Sequence, residues 1–258
     1  MQARWYLLVS KHPKDSVRVN NHNLIPEASL TFDRYTLNYR KLPYEVVWVE
    51  LPDIEETVKS IGASPTATKP NGQPKYTLPA IHDLNTDVRL SDSIKIVEYL
   101  EATYPNDPEK ALIPPGTKAL QLAFIDAVIT LIRPNLVPLA YPQEVTLFDS
   151  RSREYFLSTR KEMLGKEVWE IAPPPEMRDT VWKGVEGAWA KVDSWMRKED
   201  RFVMGDTVCF LDFAIAGQFV WYRIMWGEDS EEWKMMSSWQ GGRWARLVQD
   251  LGEFERLR

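Results

Sequence analysis

The chain has 258 residues, 44% of them apolar and 27% charged, with 32 basic against 37 acidic side chains and a net charge of −5. That length suits one large or two small domains. The composition excludes collagen-like, coiled-coil and wholly disordered chains, and the near-balanced, slightly acidic charge argues against nucleic acid as a partner.

One cysteine, Cys209, cannot make an internal disulfide, and His12, His22 and His82 have no metal-ligand spacing, so a reducing, metal-free setting is expected. The opening MQARWYLLVSK has too short an apolar run for a secretory signal and reads as a strand. The long apolar stretch 209–226 carries Asp212, Gln218 and Arg223, which a bilayer centre tolerates poorly, and reads as a buried helix. A cytoplasmic protein without a membrane segment is the expectation.

Strand-like runs fall at 5–9, 45–51, 77–82 and 88–90, each rich in β-branched or aromatic residues and bounded by turn formers. Helical spacing joins Phe32, Tyr35, Tyr39 and Leu42 over 30–42, and Ile96, Val97, Leu100 and Tyr104 over 91–104. The order is β-α-β followed by β-β-α. Its crossover demands a parallel strand pair, and the short turn at 83–86 an antiparallel one. This gives an α/β domain over residues 1–104, with a Pro-rich linker over 105–116.

From residue 117 to 258 the pattern is helical only, with helices predicted over 120–132, 152–164, 177–196 and 209–226, so the second domain is all-α. Nine of the eleven tryptophans lie after residue 165, where they either fill a wide helical core or line an apolar ligand site.

Two segments carry candidate chemistry. In YTLPAI, Pro79 cannot donate to a ladder. It is either an ordinary edge proline or a cis one that turns the Leu78 backbone groups toward an extended peptide ligand. In RLSDSIKIVEYL, Asp92 and Ser93 stand where a strand gives way to a helix. They either cap that helix, or hold an amino-acid head group, with Ser93 taking its carboxylate and Asp92 its ammonium.

With these residues in place, Leu-Pro-Ala-Ile followed by Ser-Asp-Ser-Ile-x-Ile-x-Glu-Tyr-Leu resembles the glutathione site of glutathione transferases. FVMGDTVCFLDFAIA resembles that family's folding motif, with Cys209 at the usual Ser or Thr cap position and Asp212 reciprocating it. The segments LNYRKLPYEVVWVELPDIE, EYFLSTRKEMLGKEVWEIAP and GEDSEEWKMMSSWQGGRWARL are similar to the fungal etherase-related class, the basidiomycete fungal-specific class A. The resemblance covers nearly the whole chain. It implies a thioredoxin-like domain before an all-helical one, glutathione as the cofactor, apolar aromatic compounds as substrates, and a homodimer.

The resemblance also implies a catalytic serine seven residues before Arg34, and that position holds Glu27. A carboxylate beside a thiolate opposes its formation, whereas a hydroxyl donor favours it. Ser29 is the nearest hydroxyl, either catalytic or a simple helix cap, with Ser10 and Ser16 next in order. Lys75 could reach the glycine carboxylate of glutathione. Cys209 is expected to be buried and inert. The reading is therefore a glutathione transferase with a degenerate site, or alternatively a non-catalytic carrier of aromatic metabolites.

Overall fold

The computed structural model describes residues 5–10, 28–69, 71–105 and 110–255. Strand β1 (Trp5–Ser10) leads to α1 (Ala28–Tyr39) and β2 (Glu45–Val49), then α2 (Ile54–Ser60) and a two-residue hairpin of β3 (Ala67–Thr68) and β4 (Pro74–Lys75). Strands β5 (Ala80–Asp83) and β6 (Val88–Ser91) and helix α3 (Ser93–Thr103) complete the first unit.

The sheet runs in the order β2-β1-β5-β6. Strands β1 and β2 are parallel, while β5 is antiparallel to both β1 and β6. The crossover and the tight turn require both arrangements. Because successive side chains point to opposite faces, neighbouring residues of β5 serve different cores. Ile81 packs with Leu37 of α1 and Ile96 and Leu100 of α3, whereas Ala80 packs with Val49 and Val58 under α2. The turn after β5 is tied to Asp83, whose carboxylate accepts from Tyr99 at 2.5 Å, Tyr104 at 2.7 Å and Thr86 at 2.9 Å. Burial raises its pKa, but these hydrogen bonds and one from the Asn85 N–H together hold it below the usual carboxylate range.

The second unit comprises α4 (Lys118–Val145), α5 (Ser150–Leu164), α6 (Pro175–Asp193), α7 (Phe210–Trp226) and α8 (Glu231–Asp250). Past residue 117 the described residues contain two isolated bridges and no named strand. Trp189, Trp244 and Phe219 meet at its centre, with Trp189 and Trp244 ring centroids 5.0 Å apart. Helices α4 and α6 approach so closely that a Cβ on Gly184 would lie 2.6 Å from the Asn135 amide oxygen. Most late tryptophans are core, but Trp169 is 53% exposed and Trp221 lines a cavity.

Helix α7 joins the two units. Phe213 meets Tyr35 and Tyr39 of α1 edge-on at 5.4 and 5.7 Å, and Phe254 near the C-terminus closes on Tyr39 at 5.3 Å. Buried Leu112 pins the connecting segment, its carbonyl accepting from Phe210 N and Gln121 Nε2.

The fold class is the one expected, a thioredoxin-like α/β unit followed by an all-helical one. Several boundaries differ for physical reasons. Strand β5 starts only at Ala80, since Pro79 has no N–H for the ladder. The helix expected over 120–132 runs on to Val145 through Pro134, Pro138 and Pro142. Each proline removes one helical donor, yet packing of α4 against α6 and α7 carries the helix through. Stretch 209–226 is therefore not the one long apolar run. By length and composition α4 could also cross a membrane, with a window of mean hydropathy 1.6 of which 17% is buried.

Candidate functional site

The ladder places Ala80 opposite Ser91 and also opposite Leu8 near the end of β1. Leu78 and Pro79, just before Ala80, therefore emerge at the same end of the sheet as Asp92 and Ser93, just after Ser91. The Leu78–Pro79 bond is cis. Pro79 is buried and Leu78 half-buried, and among the described residues no hydrogen bond engages the Leu78 backbone.

Asp92 does cap α3: its Oδ1 accepts from Ile94 N at 3.1 Å. It holds φ +85° and ψ 113°, a region that a residue with a Cβ enters only at a cost of about 1–3 kcal/mol. Such strain persists where surrounding structure imposes it, often at ligand clamps. The capping role is therefore seen, and it uses one carboxylate oxygen.

Ser93 differs from expectation. Its hydroxyl is not free but donates to Asp33 Oδ2 of α1 at 3.1 Å. Helix α1 is buried from residue 33 to 38, and Asp33 is fully buried with Oδ1 lacking any partner among the described residues. Burial drives the Asp33 pKa far above the usual carboxylate range; the Ser93 hydrogen bond opposes this and the charge of Asp92 adds to it. Sequence reasoning missed Asp33, because an aspartate inside a helical period reads as a solvated position.

The remaining candidates divide. Ser29 is the second residue of α1, one turn before Asp33 on the same helix face, and the description of it stops at its backbone. Ser10 closes β1 and is likewise described by backbone alone. Glu27 and Ser16 lie outside the described residues. Lys75 is exposed on β4, three residues before Leu78, and is not drawn into an ion pair among the described residues. Cys209 is buried at the start of α7, as expected, and burial followed by the charge of Asp212 pushes its thiol pKa up, which disfavours the thiolate. No group of three or more His, Cys, Asp or Glu suited to a metal occurs among the described residues.

A cavity of about 310 Å³ opens between α4, α6 and α7, walled by Phe124, Ile132, Trp189, Ile215 and Trp221 among others. Its polar side chains include Arg133 and Gln218. The positions of α4 where a helical ion pair would form with Arg133 hold Ile129, Thr130, Leu136 and Val137. Among the described residues no carboxylate lies within salt-bridge distance of Arg133.

Comparison with known proteins agrees with this fold. The family model for the C-terminal domain of glutathione S-transferases matches residues 119–254, and that for the N-terminal domain matches residues 34–103. A glutathione S-transferase of Ceriporiopsis subvermispora, solved in complex with glutathione, is similar at 33% identity and TM-score 0.88, over 98% of each chain. The glutathione transferase GSTFuA3 of Phanerochaete chrysosporium is 34% identical, with TM-score 0.87 over 100% of each chain. The glutathione S-transferase-like protein ustS of Aspergillus flavus is 29% identical over 83% of this chain and 79% of its own length. The β-etherase LigF of a Sphingobium strain, at 15% identity and TM-score 0.59, shares the fold.

Proposed function

The chain belongs to the glutathione S-transferase family, and we propose that it uses glutathione against an aromatic acceptor seated in the cavity between α4, α6 and α7. The observation that carries this reading is the cavity itself. Its walls are aromatic and branched aliphatic side chains, and Arg133, which makes no salt bridge among the described residues, offers charge to an acceptor bearing a phenolate or carboxylate.

In this reading glutathione lies along the Leu78 backbone, which offers free polar groups to an extended peptide. Its γ-glutamyl ammonium pairs with the Asp92 oxygen that capping leaves over, and its carboxylate sits at Ser93 and the start of α3, where backbone N–H groups and the helix dipole favour an anion. Lys75 is a point charge for the glycine carboxylate. Ser29 and the start of α1 stabilise the thiolate, while Glu27 opposes it, so activity is weak.

The same reading divides the chain into 1–104, a linker at 105–116, and 117–258. It also places the chain in the cytoplasm as a homodimer. Leu120, 72% exposed near the start of α4, supplies apolar surface for a contact between copies.

The test is conjugation of glutathione to a generic aryl halide, with binding of a fluorescent aryl carboxylate measured in parallel. Ala214→Trp, which fills the cavity, should weaken the aryl carboxylate at least about tenfold and leave glutathione affinity unchanged. Ser29→Ala should abolish conjugation. An unaffected Ala214→Trp protein would end the acceptor assignment. Tight aryl binding with no conjugation in the wild type would replace the enzyme by a carrier.

A further inference from the structure

Asp33 has no part in the mechanism above, yet it is the buried carboxylate nearest the proposed clamp. Its Oδ2 holds the Ser93 hydroxyl at 3.1 Å, and its Oδ1 has no partner among the described residues. A purely structural tie between α1 and α3 would be made as well by a neutral side chain, without burying an orphaned oxygen, and such a group calls for an explanation.

Resting on the reading that Ser93 takes the γ-glutamyl carboxylate, we propose that Asp33 is a positioning residue that sets the direction of the Ser93 hydroxyl, so that glutathione binding is coupled to one proton on Asp33. The logic is a count of hydrogens. A serine hydroxyl has one proton to donate. An ionised Asp33 can only accept, so it claims that proton, and Ser93 then turns lone pairs toward an incoming carboxylate and repels it. A protonated Asp33 donates to Ser93 Oγ instead, and the hydroxyl proton is released to the ligand. The proton is taken from solvent on binding and returned on release.

The surroundings favour this exchange. Burial favours the neutral acid, and from α3 the charge facing it is that of Asp92, which acts in the same direction. Of the other elements packed on α1, α7 and the C-terminal turn set Phe213 and Phe254 against Tyr35 and Tyr39, and their charged groups, Arg223 and Glu255, act on the neighbouring Arg34. Among the described residues no cation acts to hold Asp33 ionised.

Calorimetry of S-methylglutathione binding to the full chain tests this, because the blocked sulfur removes thiol titration from the reading. Measurements run from about pH 5.5 to about 8.5, each in two buffers of different ionisation enthalpy. Above the Asp33 titration the wild type should take up a proton on binding and its affinity should fall by up to about tenfold per pH unit, whereas below it neither should occur. In Asp33→Asn the amide donates to Ser93 at every pH. That variant should bind within about threefold of the wild type at low pH, take up no proton at Asp33, and lose the wild-type slope. Equal slopes in the two proteins would overturn the proposal, as would absence of proton uptake by the wild type, a result that stands even if the variant does not fold. Ser93→Ala separates the two layers: unchanged affinity at every pH would remove the clamp on which the proposal rests, whereas a weakened Ser93→Ala beside an unaltered Asp33→Asn slope would remove the role of Asp33 alone.

Discussion

Two aspartates are fully buried near helix starts in this molecule, and their surroundings are opposite. Asp212, third residue of α7, accepts at Oδ1 from Val203 N and at Oδ2 from Cys209 N, both at 2.8 Å. Asp33 accepts at one oxygen from a side chain, and its other oxygen has no partner among the described residues. A carboxylate whose oxygens are both bound to backbone fixes the chain around it. One that is half-satisfied beside a ligand site leaves a bond for another state to complete. The contrast teaches that burial alone does not separate an architectural acid from a working one, whereas the partner list does.

The largest effect that probes this contrast is Asp212→Ala. It strands two buried backbone donors and should cost about 3–6 kcal/mol in urea unfolding, two hydrogen bonds to a charged group. A loss below about 1 kcal/mol would mean that Asp212 is no more architectural than Asp33.

Next comes its pH dependence. Burial pushes the Asp212 pKa up to about 6 against the hydrogen bonds that lower it. A folded pKa above the unfolded value of about 3.9 means that the native state binds more protons in between. This contribution is present below pH about 4 and lost as the pH rises through about 6, amounting to about 3 kcal/mol. The stability of the wild type relative to Asp212→Asn should fall by that amount across this window, and a constant difference would refute the assignment. The smallest effect is that of Asp33→Asn on folding: unfolding near neutral pH should move by no more than about 1 kcal/mol, with a gain favoured because an uncompensated buried carboxyl is removed. A loss rivalling that of Asp212→Ala would erase the contrast.

Asp212 was legible in the sequence and Asp33 was not, for one reason. Asp212 stands at a fixed offset from a helix start within GDTVCFLD, so local spacing carries its role. Asp33 owes its partner to Ser93, sixty residues away, and no local pattern encodes that pairing. The rest of the fold divides along the same line. Strands β1, β2, β5 and β6 and helices α1 and α3 stood out through periodicity, and Asp92 and Ser93 through their place at a strand-to-helix boundary. The seven residues of α2 and the two-residue strands β3 and β4 are too short for a period to register. Helix α8 was obscured by Gly241 and Gly242, which follow Gln240 through a run of positive φ where the helix kinks. The cavity is assembled from three helices, and its lining has the same aromatic and aliphatic character as the core beside it.

Helix α4 keeps its course through Pro134, Pro138 and Pro142, spaced four apart and hence stacked within one sector of the helix. Each leaves the carbonyl four residues earlier, on Thr130, Pro134 and Pro138, without its usual donor. Because the gaps fall in register, their small openings add in one direction instead of cancelling around the barrel of the helix. Ile132, Leu136 and Leu139 are buried on the opposite sector. The loosened edge is thus the one turned away from those residues, on a helix about 42 Å long, from 28 residues, that walls the apolar chamber.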